Sequence, residues 1–322
     1  MIYYFSGGLT TEMINTLTAM PGYKPIDVLV TQLDRHSIDK MIKYQEQGWV
    51  RQLFIDSGAF SVHTGKAKPF TCDEYIDYVN SIDDHIHAIA QLDKIPGEFG
   101  KPKSKEDYEE SARLSWENFL YMYPRLKSPE KLIPVFHFGE SFDVLRSMLE
   151  WKDENGKPLS YIGISPANDT AQKVKDKYMQ NVYDIIAASS NPNIRTHLFG
   201  MTALDSLSKV PTYSADSISH RLIGAYNKML VPEYGVISLS NKPRTTRNKS
   251  SLSFVETADE IALQKLRDYL APLGVTLEQC QESNAIRSAV TMYSITKILN
   301  DKPYSPKNVT RAKKLFNMPS KN

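Results

Sequence analysis

The stretch FIDSGAFS, residues 54–61, begins as a strand and stops being one at Asp56. Leu53, Phe54 and Ile55 supply the short apolar run of a buried strand, and Asp56, Ser57 and Gly58 break it before Phe60 restores an apolar residue. A carboxylate, a hydroxyl and a glycine in a row make a turn, or they edge a site that holds a flat ligand over an ionisable group. The preceding segment decides the fold. SIDKMIKYQEQ (37–47) is charged and periodic, as an amphipathic helix requires, so the local order is helix, strand, turn.

That order repeats along the chain. Strand-like runs occur at IYYF (2–5), DVLV (27–30), LFID (53–56), AIAQLD (88–93), LIPVF (132–136), YIGIS (161–165), THLFGM (196–201) and SADSIS (214–219). Between them lie longer charged segments such as SKEDYEESARLSWENFLYMY and DTAQKVKDKYMQNVYDIIAAS, which read as helices. About eight strand–helix alternations over roughly 220 residues predict an α/β fold, a (β/α)8 TIM barrel. An open doubly wound sheet is the alternative, because periodicity does not report closure. YGVIS (234–238) is a spare strand candidate.

Beyond about residue 252 the texture becomes helical. Thr257 with Glu260 forms a capping-box pattern before IALQKLRDYL, Thr276 with Gln279 marks a second start, and SNAIRSAVTMYSITKILN carries Ile286, Val290 and Ile298 at apolar positions. The expected division is a catalytic barrel over 1–252, ending in a basic loop, and a helical C-terminal appendage over 253–322.

The 322 residues carry 41% hydrophobic and 24% charged side chains, ordinary for a globular protein, with no apolar run near the ~18 residues that span a bilayer. MIYYFSGGLTTEM lacks the basic lead-in and long apolar core of an export signal. Cys72 and Cys280 stand in unrelated contexts, which predicts neither a disulfide framework nor a metal cluster. A cytoplasmic protein without membrane contact is the expectation. The formal net charge is only +2, but KPRTTRNKS places Lys242, Arg244, Arg247 and Lys249 within nine residues free of acids. The tail beyond Asp301 is likewise basic, with Lys302, Lys307, Arg311, Lys313, Lys314 and Lys321. Such loops are commonly just solvated; two of them together favour a polyanionic partner.

In a barrel, catalytic groups collect where strands finish. Those points are Asp56-Ser57-Gly58, Asp93, His137-Phe138-Gly139, Gly163-Ile164-Ser165, Gly200-Met201 and Asp216-Ser217. One aspartate after a strand is ordinarily a helix cap or turn residue, whereas three on one mouth exceed what packing needs. Glycines there let a ligand edge approach the backbone, and Phe60 either stacks on a planar ring or belongs to the core.

DSGAF, QLD, HFGE, GIS, LFGM and ADS, in that order over roughly residues 50–220, resemble the guanine transglycosylase superfamily. The resemblance implies a nucleophile at Asp216 attacking the ribosyl C1′, an acid/base at Asp56, and a carboxylate at Asp93 that reads a guanine-like edge. It further implies stacking by Phe60 beside Ser57 and Gly58, backbone contacts from Gly163 and Ile164, and a pocket turn at Gly200 and Met201. Phe138 and Gly139 replace a Gln-Gly pair, so that His137 either supplies the missing hydrogen bond or is structural. Breaking an N-glycosidic bond through a cation-like sugar asks for two acids in different environments in any case.

The superfamily's tRNA enzymes hold a structural zinc through clustered cysteines, and this chain has no cysteine between Cys72 and Cys280, so that metal site is excluded. SHRLIGAYNKML after Asp216 also departs from them. The chain is most similar to the zinc-free branch, found in bacteria and their viruses, that places 7-deazaguanine bases in DNA. That similarity implies a DNA-guanine transglycosylase without metal or redox cofactor, taking DNA and a free 7-deazaguanine base, with Lys242, Arg244, Arg247 and Lys249 on the phosphates. Homodimerisation is common in the superfamily. A zinc-free tRNA transglycosylase, a glycosidase and a non-catalytic nucleic-acid-binding barrel are the rival readings; the glycosidase lacks tryptophan platforms at the strand ends.

Overall fold

The computed structural model describes residues 1–166, 170–201, 207, 210–240 and 253–300. One sheet dominates, built from β1 (Ile2–Ser6), β2 (Ile26–Thr31), β3 (Val50–Asp56), β4 (Ile86–Ala90), β5 (Leu132–Ile133), β6 (Val135–His137), β7 (Tyr161–Ser165), β8 (Arg195–Leu198) and β9 (Ser214–Ser217). Every pairing is parallel, in the order β5-β4-β3-β2-β1-β9-β8-β7-β6.

The two ends of that order are halves of one run. LIPVFH is interrupted only at Pro134, which has no N–H to give to a ladder. Leu132 and Ile133 pair with β4, while Val135 to His137 pair with β7, and the Pro134 carbonyl accepts from Gly163 N at 2.8 Å. Nine ladder segments therefore make eight strands, and the sheet closes on itself through a proline. The TIM-like barrel expected from the alternation is the fold observed.

Two apolar clusters show the closure. Tyr4, Leu29, Phe54, Ala88, Ala90, Ile133 and Tyr161 fill the inside of the barrel, and Tyr3, Phe5, Val28, Ile55, Phe136 and Ile164 face the other way, into the layer beneath the helices. Successive side chains alternate between the two, as the pleat dictates.

Helices α1 (Thr11–Thr18), α2 (Arg35–Glu46), α3 (Ala59–His63), α4 (Cys72–Ser81), α5 (Lys105–Met122), α6 (Phe142–Glu150) and α7 (Gln172–Ala188) occupy the crossovers. Side-chain caps start several of them. Thr10 accepts from Met13 N at 3.1 Å, Asp34 from Ser37 N at 3.1 Å, and Thr71 with Glu74 and Ser104 with Asp107 form capping boxes.

Some boundaries differ from those expected. AIAQLD leaves the sheet after Ala90, with Leu92 held by Asn118 of α5, whose amide donates to the Leu92 carbonyl at 2.7 Å. THLFGM and SADSIS leave it after Leu198 and Ser217. The spare strand is β11 (Gly235–Ser238), paired antiparallel with β10 (Lys228–Val231) outside the barrel.

After α8 (Ser219–Ala225) come α9 (Phe254–Thr257), α10 (Glu260–Leu270), α11 (Leu277–Glu282) and α12 (Asn284–Asn300). Asp259, not Thr257, caps α10, because Thr257 already ends α9, which has its own box at Ser253 and Glu256. The Thr276–Gln279 box is formed as read. Helix α12 packs against α1 and α8 and shares the barrel's outer core through Val290, Met292 and Ile295. Buried Arg287 binds it to its neighbours, donating to the carbonyls of Gly224, Cys280 and Gln281 at 2.8–2.9 Å. Among the described residues no helix is long and apolar enough to cross a membrane.

Candidate active site

The turn that ends β3 answers the question posed by DSG. Asp56 accepts the N–H of Gly58 at 3.0 Å, and Ser57 accepts that of Ala59 at 3.3 Å while donating its own proton to Asp93 at 3.0 Å. Gly58 takes φ +80, and a Cβ there would stand 2.5 Å from Leu33 Cδ1 and 2.6 Å from Thr31 Oγ1. Only glycine satisfies both constraints. It is a turn and a site edge at once.

Burial, then repulsion from Asp93, lifts the Asp56 carboxyl from 3.8 to about 7; the Gly58 N–H opposes the rise and Asp216 adds to it. Tyr75 of α4 braces the same corner from behind, its hydroxyl donating to the carbonyl of Ala90 at 3.0 Å.

Asp93 is the centre of a second set. Its Oδ1 takes the Ser57 hydroxyl and its Oδ2 lies 2.9 Å from His137 Nε2. On the other side of the ring, His137 Nδ1 is 3.0 Å from Glu140 Oε1, and Glu140 Oε2 accepts the His137 backbone N–H at 3.0 Å. Burial pulls the imidazole pKa down, but the two carboxylates together overcome it and push the value up to about 10.

Asp216, on β9, is met by three donors. The Ser6 hydroxyl bonds Oδ2, while Oδ1 receives Gly200 N at 2.9 Å and lies 3.2 Å from His197 Nε2. His197 is wholly buried on β8, and burial lowers its pKa against the opposing pull of Asp216. The neutral ring donates from Nε2, because a carboxylate only accepts, and Nδ1 takes the Ser214 hydroxyl at 2.6 Å. Ser214 in turn bonds the Tyr161 hydroxyl. A polar chain thus crosses the barrel interior and holds the buried Asp216 carboxylate against Gly200, a residue of its mouth.

A cavity of ≈ 200 Å³ opens on that mouth, lined by Asp56, Ser57, Phe60, Asp93, His137 and Gly200, among others, with Ser165 at the end of β7. It is larger than the ~150 Å³ void that admits benzene. Phe60 is 61% exposed at its rim, which decides against a core role. A further cavity of ≈ 250 Å³ adjoins it across Ala59, Asp93 and Ile95.

Not every expected residue reaches this space: neither Asp216, which lies behind Gly200, nor Gly58 lines it. Gly163 and Ile164 sit inside the ladder, and Gly163 is small because a Cβ would meet Phe199 at 2.5 Å. Phe138 turns outward to Tyr178, 5.1 Å between ring centres. Gly139, at φ +98, lets the turn pass the Tyr108 ring and return Glu140 beneath His137. Met201 is 4% exposed and belongs to the outer core. His137 has no nitrogen left for a ligand. Lys242, Arg244, Arg247 and Lys249 lie outside the described residues.

Ser6, His197, Ser214 and Glu140 were missed from sequence, whereas Ser165 was placed at a strand end without a role. The signal for Glu140 was present in HFGE, an acid three residues after the histidine across a glycine turn; nothing local marked Ser6, which meets Asp216 only through the β1–β9 pairing. No cluster of histidine, cysteine and acidic side chains suited to a metal ion occurs among the described residues. Compared with protein-family models and with curated proteins, the chain matches none.

Proposed function

We propose that this barrel exchanges a guanine base in DNA for a 7-deazaguanine base by way of a covalent sugar–aspartate ester. The observation that supports the reading is that Asp56 stands on the cavity wall while Asp216, behind it, is bonded to Gly200 of the same wall, in unlike surroundings. Asp56 holds a proton that it releases near neutral pH, and Asp216, near enough to influence it, is held in place by three donors. Phe60 offers an exposed ring face above the cavity, and Asp93 offers acceptor lone pairs to a donor-bearing edge.

In the forward half, the C1′–N9 bond breaks with its electron pair passing to the base, an Asp216 oxygen bonds C1′, and the Asp56 acid protonates the departing base. In the return half, Asp56 carboxylate removes the N9 proton of the incoming base, whose nitrogen attacks C1′ and expels Asp216. Protons and electrons balance, and the configuration at C1′ is retained through two inversions. Ser6 must release Oδ2 for that oxygen to attack.

Trapping tests the chemistry and the polymer together. A guanine-containing oligonucleotide should give a denaturation-resistant adduct with the wild-type protein and none with Asp216→Asn. Labelled guanine should enter DNA; entry into tRNA alone would move the assignment to the RNA substrate, and no adduct or exchange with either would end it.

A further inference from the structure

We propose that Glu140 is a positioning residue, which holds His137 between two carboxylates and thereby fixes the orientation of Asp93. The argument is one of valence. An ionised carboxylate only accepts, and His137 has Asp93 Oδ2 at 2.9 Å from one nitrogen and Glu140 Oε1 at 3.0 Å from the other. Both ring nitrogens must therefore carry protons, and the three side chains together hold a charge of minus one. Glu140 is 6% exposed, and its second oxygen is spent on the His137 backbone N–H at 3.0 Å, so it has no partner outside the turn.

Rotation of the imidazolium is opposed from both sides of the ring, and the ring in turn prevents Asp93 from swinging away from Ser57. The other titratable groups at this corner are Asp56 from β3, Tyr75 from α4 beside Asp56 and Asp93, Tyr178 from α7 beside Glu140, Tyr108 from α5 against Gly139, and Lys94, which follows Asp93 and lines the adjoining cavity. Lys94 is the cation among them, and Asp93 forms its ion pair with His137 instead. Withdrawal of the Glu140 charge leaves Asp93 as the single anion bonded to the ring, so proton affinity at His137 must fall.

A consequence for specificity rests on the transglycosylase reading. With both imidazole protons consumed, the ligand meets acceptors at Asp93 and not a donor at His137, so the pocket selects an edge rich in N–H groups. Loss of Glu140 should loosen this recognition at the binding step.

The experiment follows the His137 ring by NMR from pH 5.5 to 10.5, assigned by its disappearance in His137→Gln. In the wild-type protein the ring should stay protonated beyond pH 8. In Glu140→Gln it should titrate with at least tenfold lower proton affinity, while KM for the free base rises about tenfold and kcat changes less than threefold. A wild-type ring that titrates near 6.5, or a Glu140→Gln ring that titrates as wild type, would overturn the proposal. The wild-type titration decides alone should the variant not fold. Absence of base exchange in the wild type would count against the transglycosylase and leave the titration result standing.

Discussion

Replacing Asp56 by asparagine should make the protein more stable, and more so as the pH rises. The folded state binds the Asp56 proton more tightly than the unfolded chain does, so wild-type stability falls from the ordinary carboxyl value of 3.8 up to about 7 and is level above it. That rise is equivalent to about 4 kcal/mol, with about 2–3 kcal/mol of it between pH 5 and pH 8. Screening by solvent that can enter the open cavity trims the expected difference to about 1–2 kcal/mol. Asparagine keeps a carbonyl oxygen for Gly58 N, so the turn survives and the change isolates the charge. Urea unfolding of both proteins at pH 5 and pH 8 measures the effect. A gap between them that does not widen with pH would show that Asp56 is not the proton-retaining acid described, and the base-exchange chemistry would lose its acid.

Two other substitutions separate packing from ligand binding. Gly163→Ala drives a methyl group against Phe199 and should cost about 1–3 kcal/mol in thermal unfolding, with Phe199→Leu restoring part of the loss if the collision is the cause. Phe60→Ala should shift unfolding by less than about 0.5 kcal/mol, because the ring is exposed, yet weaken base binding about tenfold by calorimetry; unchanged binding would remove Phe60 from the site.

Much of this was legible in the chain because it is local. Alternation of apolar runs with amphipathic segments is a property of neighbours, and it pointed to a parallel sheet and to the approximate places where strands end, without reporting closure. Asp56, Asp93 and Asp216 were found by that rule, as was the Thr276–Gln279 cap. What depended on residues far apart in the chain was not legible. Closure through Pro134 required knowing that its two flanks pair with different strands, β4 and β7. The meaning of His137 waited on Asp93, 44 positions away, and that of Asp216 on Ser6, 210 positions away. Glycines read as ligand contacts split for the same reason, Gly58 shaping the turn at the site and Gly163 making room for Phe199. Sequence determines which side chains stand at a strand end; barrel register, set by pairing across the whole chain, decides which of them touch.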